Sequence, residues 1–223
     1  MFPTVVAPTV AIAGSTERFP VRRIFCVGQN YADHAREMGN DPDRQQPFFF
    51  MKPADAVVES GATLPFPVRT DDLHHEVELV VALGAGGTDV DAKDALGLVY
   101  GSAVGIDLTR RDLQAVAKKA GRPWDMAKGF DRSAPIGALT PGMPPETGAI
   151  ALTVDGETRQ SGDLSMMIWR VAEVIAVLST YVELAPGDLI FTGTPAGVGP
   201  IRAGQRVRAT IAGLAPMEIA FAG

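Results

Sequence analysis

Hydrophobic residues along the chain form many short runs, separated by glycine and proline, instead of long stretches with a helical period. Gly occurs 24 times and Pro 17 times among the 223 residues, and both recur throughout. Short apolar runs bounded by such breakers are typical of β-strands. The runs that we expect to form strands are 23–28, 48–52, 76–83, 101–107, 149–156, 188–193, 206–211 and 217–222. Asp155-Gly156 further predicts a tight hairpin over 154–158.

Three other segments have the pattern of helices, and these are 30–39, 109–121 and 163–181. In the first, Asn30 is the predicted N-cap and Gly39 the stop. In the second, which begins at Thr109, Asp112 resembles the acid of a capping box and Gly121 ends the helix. The third is apolar around most of its circumference, which predicts deep packing against a sheet.

The order of these elements predicts the fold class. Strands outnumber helices and do not alternate with them as in a doubly wound fold, so we expect an α+β, β-rich architecture. Residues 22–223 are predicted to form one main domain, preceded by an N-terminal extension over 1–21. Residues 40–47 read as a polar loop that follows the first helix.

Composition and charge narrow the function classes. The net charge of −6 gives no reason to expect nucleic acid or an anionic membrane as partner. No apolar run approaches the ~20 residues of a spanning helix, and the start of the chain lacks the basic region of a signal peptide. The single Cys26 rules out an intramolecular disulfide and is expected to be buried. We therefore expect a cytoplasmic protein.

The glycine-rich segments do not carry the common catalytic signatures. The sequence has no G-x-S-x-G nucleophile elbow, and GAGGTDV has Asp89 where a dinucleotide fingerprint needs its last glycine. The segment GTPAGVG (193–199) lacks the Lys-Ser/Thr of a phosphate loop. We interpret it as a turn at which the backbone approaches another group closely.

The most unusual polar residues are two glutamates inside an apolar strand. Glu76 and Glu78 lie on one face of the predicted strand because strand side chains alternate, and Asp107 ends another strand. Three carboxylates suit a hard divalent cation such as Mg²⁺, Mn²⁺ or Ca²⁺. The alternative is a solvated strand face, which a lone E-x-E motif favours.

A second polar set suggests acid–base chemistry. His34 and Glu37 are three residues apart on a predicted helix, where a carboxylate can fix the imidazole tautomer and leave the other nitrogen free to take a proton from water. Lys128 could neutralise a developing oxyanion. A surface ion pair and a solvated lysine are the alternatives. His74 and His75 point to opposite faces, and we assign neither as a ligand.

Taken together, these stretches resemble the fumarylacetoacetate hydrolase family, and most closely its short members. Six blocks occur in the family's order from about residue 22 to the end: VGQNYADHAREMG, PFFFMKPADAV, HHEVELVVALG, GIDLTRRDLQ, AKGFDRSAPIG and GDLIFTGTPAGVG. The resemblance implies a mixed β-roll or sandwich around one divalent cation per chain, with Mg²⁺ expected first, and a homodimer. It also implies roles for ten residues: metal ligands Glu76, Glu78 and Asp107; a water-activating dyad His34 and Glu37; an active-site Lys128; and substrate contacts Arg111, Gln114, Thr194 and Lys52.

The resemblance also implies an activity. The expected reaction is metal-dependent hydrolysis of a carbon–carbon bond in a 2,4-diketo acid, with fumarylpyruvate giving fumarate and pyruvate. Oxaloacetate decarboxylation and isomerisation of a hydroxymuconate-type diacid are the enzymatic alternatives. A metal-stabilised binding protein without catalysis is the alternative outside enzymes, although metal binding alone would not need the His34–Glu37 pair.

Overall fold

The computed structural model of the protein describes residues 7–37 and 45–223, and strands dominate this part of the chain. The strands are β1 (Thr9–Ala11), β2 (Arg18–Pro20), β3 (Arg23–Gly28), β4 (Phe48–Lys52), β5 (Val57–Glu59), β6 (Ala62–Leu64), β7 (Leu73–His75), β8 (Val77–Leu83), β9 (Val99–Ile106), β10 (Thr109–Arg110), β11 (Ala134–Ile136), β12 (Thr140–Pro141), β13 (Ala149–Val154), β14 (Glu157–Asp163), β15 (Asp188–Phe191), β16 (Gly199–Ile201), β17 (Arg206–Ile211) and β18 (Met217–Phe221). The helices are α1 (Ala32–Glu37), α2 (Ala92–Ala95), α3 (Arg111–Lys119), α4 (Asp125–Lys128) and α5 (Val171–Tyr181), with 3₁₀ turns at Ala54–Ala56, Leu96–Leu98 and Leu164–Met166.

Two large sheets and two small ones make up the β-structure. The largest has the strand order β4-β3-β15-β8-β9-β11-β5, with β12 also paired to β9, and a second sheet has the order β14-β13-β17-β18-β6. Strands β10, β7 and β16 form a three-stranded sheet, while β1 and β2 pair with each other. Parallel pairs occur within otherwise antiparallel sheets, as between β15 and β3. The predicted α+β, β-rich class is confirmed.

Strand β8 lies in the middle of the largest sheet, and both of its faces are covered. Val77, Leu79 and Val81 belong to one hydrophobic cluster, together with the buried face of α5, whereas Val80 and Ala82 belong to a second cluster on the other face. The alternation expected from the sequence is therefore present, with every residue of the strand buried. Burial of both faces explains why nearly every residue of this strand is hydrophobic.

The predicted strands lie where expected, with small shifts at their ends. The runs 23–28, 48–52 and 206–211 coincide with β3, β4 and β17. Asp155-Gly156 joins β13 to β14 as the predicted hairpin. Gly121 follows the end of α3 in the left-handed conformation with φ of 62°, which favours glycine. Gly39 and residues 40–44 lie outside the described residues.

The prediction of one long helix over 163–181 is wrong in its first half. Only Val171–Tyr181 is α-helical, because the backbone before it pairs with Asn30 instead. The Ile168 amide donates to the Asn30 carbonyl at 2.8 Å, and the Trp169 amide donates to Asn30 Oδ1 at 2.7 Å. Asn30 is consequently not the N-cap of α1, since its side chain is already used in these contacts.

The capping-box prediction for Asp112 is also wrong. Helix α3 begins at Arg111, and the Asp112 carboxylate accepts hydrogen bonds from Thr70 Oγ1 at 2.8 Å and from the Asp71 amide at 3.0 Å. It thereby ties the preceding loop to the first turn of the helix. Thr109 lies before the helix in β10, and its hydroxyl belongs to the polar site described below.

The N-terminal hairpin packs on the outer face of the largest sheet. Val10 and Phe19 are buried in the same cluster as Ile24, Ala82 and Leu139. The predicted boundary at residue 21 stays a prediction. Cys26 is buried and unpaired as expected. Among the described residues, no helix is both long enough and apolar enough to cross a membrane.

Candidate active site

Three buried carboxylates converge at one edge of the β8–β9 pair. Glu78 pairs with Gly105 in the antiparallel register, and the Asp107 amide donates to the Glu76 carbonyl at 2.8 Å. This register brings Asp107 next to the two glutamates that share a face of β8. One carboxylate oxygen from each residue lies within 4.8 Å of the others. All three residues are buried, which excludes the solvated strand face as their explanation.

Two lysines hold this cluster from the protein side. Lys128 Nζ, on the short helix α4, donates to Glu76 Oε2 and Asp107 Oδ2 at 2.8 Å each and to Thr109 Oγ1 at 2.6 Å. Lys52 Nζ forms an ion pair with Asp107 Oδ1 at 2.8 Å. That oxygen is buried and accepts no hydrogen bond from any described residue. One carboxylate oxygen therefore keeps a lone pair for another ligand.

The carboxylates differ in their electrostatic environments. Burial, together with the negative charges of Asp107 and Glu76, raises the pKa of Glu78 well above its usual range. Burial acts in the same direction on Glu76, but the charges of Lys128 and Arg111 outweigh it and leave the Glu76 pKa below its ordinary value. From the part of the chain that the structure describes, Glu78 accepts one hydrogen bond, from the Gly193 amide at 2.7 Å. The negative charge of Glu78 is thus the least compensated of the three, as expected for a ligand of a cation.

Helix α3 supplies the next side of the site. Arg111 donates to Glu76 Oε1 and, through Nη1, to Gln114 Oε1 at 2.6 Å. The two residues are three positions apart and therefore lie on one helix face. Lys118, one turn after Gln114, extends the same face towards solvent.

The His34–Glu37 pair lies across the site on α1. His34 Nδ1 is 3.3 Å from Glu37 Oε2, and both Glu37 oxygens lie 3.2 Å from the Gly197 amide. His34 is buried, whereas Glu37 is partly exposed at the rim. The imidazole therefore faces inwards while its carboxylate partner is held by the glycine-rich segment.

These groups surround a single pocket. Its lining combines the polar residues with an aromatic wall, and comprises Val27, Gly28, Gln29, His34, Phe48, Phe50, Glu76, Glu78, Arg111, Gln114, Lys118, Trp124, Lys128 and Thr194. The Phe48 and Trp124 rings meet edge to face with centroids 5.4 Å apart. The pocket therefore has aromatic residues as well as charged groups in its lining.

Lys52 has a different position from the other predicted site residues. It is fully buried behind Asp107, where its ammonium also donates to the Leu108 carbonyl at 3.1 Å, and it is not part of the pocket lining. This geometry favours a role in holding Asp107 over the substrate contact expected from the sequence.

Sequence reasoning missed three residues that shape the site. Asn30 donates to the Thr192 carbonyl at 2.8 Å and so connects the start of α1 to the glycine-rich segment. Gln160 connects that segment to β8, and Trp124 forms part of the aromatic wall. The polar strand β14 that carries Gln160 gave no apolar signal, whereas the asparagine was assigned to a helix cap.

A comparison with known families decides the relationship of this chain. Residues 23–221 match the family described as fumarylacetoacetate (FAA) hydrolase C-terminal. The chain belongs to the fumarylacetoacetate hydrolase family. The expected fold and the expected enzyme class, a hydrolase that acts on carbon–carbon bonds, are thereby confirmed.

Individual relatives within the family carry different activities in their names. A fumarylpyruvate hydrolase from Ralstonia sp. is 46% identical over 186 residues, covering 82% of this chain and 97% of the relative. A mitochondrial oxaloacetate tautomerase, FAHD1 of Arabidopsis thaliana, is 43% identical over 199 residues, covering 88% and 89%. The crystal structure of fumarylpyruvate hydrolase from Pseudomonas aeruginosa, in complex with Mn²⁺ and pyruvate, superimposes with a TM-score of 0.96 at 50% identity, covering 100% of this chain and 98% of that one.

Proposed function

We propose that this enzyme uses a divalent cation to hydrolyse a carbon–carbon bond in a 2,4-diketo acid, with fumarylpyruvate as the expected substrate. The observation that carries the proposal is that His34, which pairs with Glu37, lines the same pocket as Glu76 and Glu78 of the carboxylate cluster. A cation site alone would need only the carboxylates. An imidazole with its own carboxylate partner adds a group that can move a proton.

Glu76, Glu78 and Asp107 would hold the cation. Their oxygens form a hard donor set, and one of them, Asp107 Oδ1, accepts no hydrogen bond from a described residue, although the Lys52 ammonium lies 2.8 Å from it. Such ligands suit Mg²⁺ first, with Mn²⁺ or Ca²⁺ as alternatives. The Pseudomonas relative was crystallised with Mn²⁺. When bound, the cation supplies Lewis acidity that favours negative charge on the pyruvate part of the substrate.

The protein's own groups then account for the proton transfers. His34, oriented by Glu37, takes a proton from the water that attacks the distal carbonyl of the substrate. The bond between this carbonyl carbon and the neighbouring methylene breaks, and the methylene carbon, which receives the electron pair, becomes the methyl group of pyruvate on protonation. Lys128 and Thr194 lie on the pocket, where each can stabilise negative charge on oxygen.

The position of Lys118 favours a substrate whose acyl group ends in a carboxylate. Arg111 and Lys128 are already paired with Glu76, whereas Lys118 forms no ion pair with a described residue. It lies seven residues after Arg111 on α3, about 10 Å further from the cluster at 1.5 Å per residue. The two carboxyl carbons of extended fumarylpyruvate are six bonds apart, the same number as in two extended residues, or roughly 7 Å. The distal carboxylate can therefore approach the Lys118 ammonium when the other end lies at the cluster.

Oxaloacetate chemistry is the second candidate, favoured by the similarity to the Arabidopsis tautomerase. Loss of carbon dioxide gives the pyruvate enolate, and enolisation gives the enolate of oxaloacetate itself, in both cases without an attacking water. The carboxylate cluster would serve such a reaction without using His34 as the base for a water. Isomerisation of a hydroxymuconate-type diacid would use His34 to move a proton on the substrate itself.

One experiment separates these functions. The Mg²⁺- or Mn²⁺-loaded protein is incubated with fumarylpyruvate, acetylpyruvate, oxaloacetate and a hydroxymuconate. Loss of ultraviolet absorbance follows substrate consumption, and the products are identified separately. We expect fumarate and pyruvate from fumarylpyruvate at the highest kcat/KM, and loss of turnover after treatment with a chelator. Full activity after chelation, or turnover of oxaloacetate alone, would refute the proposal. The expected homodimer also stays a prediction, which sedimentation velocity can test.

A further inference from the structure

Gln160, on β14, is a buried polar residue whose whole side-chain amide is engaged. Its Oε1 accepts from the Val77 amide at 3.0 Å, and its Nε2 donates to the Pro195 carbonyl at 2.9 Å. A backbone N–H can only donate and a carbonyl can only accept, so these two contacts fix which end of the amide is oxygen. The orientation of Gln160 therefore follows from its backbone partners alone.

This orientation determines the hydrogen-bonding role of two further side chains. Gln160 Nε2 is 2.7 Å from Thr194 Oγ1, and Gln160 Oε1 is 3.0 Å from His75 Nδ1. The Thr194 oxygen must accept from the amide, and His75 must donate from Nδ1. His75 is thus held in one tautomer directly beside Glu76, and its Nε2 has no hydrogen-bond partner among the described residues.

The hydroxyl proton of Thr194 consequently has to point elsewhere. Thr194 is buried, it lines the pocket, and its hydroxyl donates to no described residue. A hydroxyl that accepts from a fixed amide still has its single O–H to donate. The acceptor that suits a buried hydroxyl donor beside a cation site is an oxygen that carries negative charge.

We infer that Gln160 is a positioning residue that fixes the Thr194 hydroxyl as a hydrogen-bond donor to an anionic oxygen of the substrate. The inference rests on the proposed function, because it assumes that the anionic end of an acylpyruvate enters this pocket. Gln160 also joins β8, which carries the glutamates, to the segment that carries Thr194. The same side chain therefore sets the distance between the carboxylate cluster and this donor.

Isosteric variants test the inference. Gln160→Glu keeps an oxygen for the Val77 amide, but it places a second oxygen where Nε2 stood. The Thr194 hydroxyl then donates to the new carboxylate and turns from the pocket. Thr194→Val removes the hydroxyl at nearly constant shape, and Thr194→Ser retains it. The probe is oxalate, whose Kd for the Mg²⁺-loaded protein is measured by calorimetry.

We expect Gln160→Glu and Thr194→Val each to weaken oxalate binding by about 10- to 100-fold, the effect of one hydrogen bond to a charged group. Thr194→Ser should restore the affinity that Thr194→Val loses. The double variant Gln160→Glu/Thr194→Val should bind no more weakly than Thr194→Val alone, because the hydroxyl is then already absent. A merely structural role of Gln160 would instead give additive losses.

The outcomes remain decisive if one variant does not fold. Unchanged oxalate affinity in Thr194→Val overturns the inference whatever Gln160→Glu does, and additive losses in the double variant overturn it as well. Thermal unfolding identifies an unfolded variant. A wild-type protein that neither cleaves acylpyruvates nor binds oxalate would refute the proposed function itself, which is a different result.

Discussion

Glu78 differs from the other two carboxylates in having no lysine or arginine partner among the described residues. Its only hydrogen bond from a described residue comes from the Gly193 amide, whereas Asp107 contacts two buried ammonium groups, those of Lys52 and Lys128. Removing one partner of a buried ion pair leaves the other charge uncompensated. The residue that tests cation binding with the least damage to the fold is therefore Glu78.

We predict that Glu78→Gln lowers the affinity for Mg²⁺ or Mn²⁺ by more than about 100-fold, since even the outer partners of metal ligands contribute 10- to 100-fold. Its free energy of unfolding without metal should change by less than about 1 kcal/mol, because the amide oxygen still accepts from Gly193. Asp107→Asn should weaken cation binding too, but at a cost of about 3–5 kcal/mol in stability. Calorimetry and urea unfolding measure both quantities. Undiminished cation affinity in Glu78→Gln would contradict its role as a ligand.

Lys118 and its neighbour Lys119 provide a matched pair at the end of α3. Both are exposed lysines, but only Lys118 lines the pocket. We predict that Lys118→Met raises the KM for fumarylpyruvate about two- to fivefold, the range of a partly solvated ion pair, and leaves acetylpyruvate unchanged. Lys119→Met is the control and should change neither KM. Equal effects of Lys118→Met on both substrates would show that the lysine does not contact the distal carboxylate.

Among the secondary-structure elements, α3 depends on a contact before its first turn. Asp112 accepts from Thr70 and the Asp71 amide and thereby joins the loop to the helix that carries Arg111 and Gln114. Desolvation opposes ionisation of this carboxylate, but hydrogen bonds from Thr70, Asp71 and Leu113 outweigh it and lower the Asp112 pKa. A pKa lowered by folding contributes stability above the unfolded value of 3.8 that is lost as the pH falls through the folded value.

We predict that Asp112→Asn lowers the free energy of unfolding by about 1 kcal/mol at pH 7, a modest figure because solvent screens this partly exposed group. The difference in free energy of unfolding between Asp112→Asn and wild type should shrink as the pH falls below about 4, because the Asp112 carboxyl of the wild type then becomes neutral as well. Asp71→Asn is the control, because its backbone amide is unchanged. Urea unfolding at pH 7 and at pH 3.5 measures the effect. A difference that stayed constant with pH would assign the loss to packing.

Helix α1 is the element whose predicted motion matters for function. We expect residues around 30–46, of which 38–44 lie outside the described residues, to act as a lid over the site. The six described residues of α1 would not form a stable helix in isolation, and they are held by the buried Ala35 and His34 and by the contact of Glu37 with Gly197. Asn30, by contrast, is anchored by bonds to Trp169 and Thr192. Motion would therefore begin after Asn30.

We predict that the amides of Ala32–Glu37 exchange faster in the metal-loaded free enzyme than in its oxalate complex, because bound ligand favours the closed arrangement. Hydrogen exchange measured by mass spectrometry, with and without oxalate, gives the comparison. The amides of β8 serve as the internal reference, since that strand is buried on both faces. Full protection of α1 in the free enzyme would mean that the dyad is preformed.

Elements with a strong local signal were predictable, while those defined by distant partners were not. The strand β8 could be read from its apolar residues, and the glutamates within it attracted attention because charge is rare in such a strand. Strand β14 is mostly polar, and Gln160 becomes informative only once β8 and the Thr194 segment are seen on either side of it. Asn30 has the residue type of a helix cap, but a tertiary contact uses its side chain instead.

At the scale of the whole molecule, the site is assembled from segments far apart in sequence. The dyad comes from α1, the glutamates from the start of β8 and the residue before it, Asp107 from the residue after β9, and the lysine from α4. The carboxylates are embedded in the largest sheet, while His34 is carried by a short helix at its edge. This separation suggests that stabilisation of the enolate and activation of water depend on different parts of the fold.

The two parts can be separated by a single substitution. We predict that His34→Ala lowers kcat for fumarylpyruvate about 10²- to 10⁴-fold, the usual contribution of a general base, and leaves metal-assisted decarboxylation of oxaloacetate within about tenfold of wild type. The reason is that decarboxylation needs no attacking water, whereas the carboxylate cluster is unchanged in this variant. Parallel assays of pyruvate formation from both substrates, with Glu78→Gln as the variant expected to lose both activities, give the measurement. Equal losses in His34→Ala would show that the imidazole orders the substrate instead of activating water.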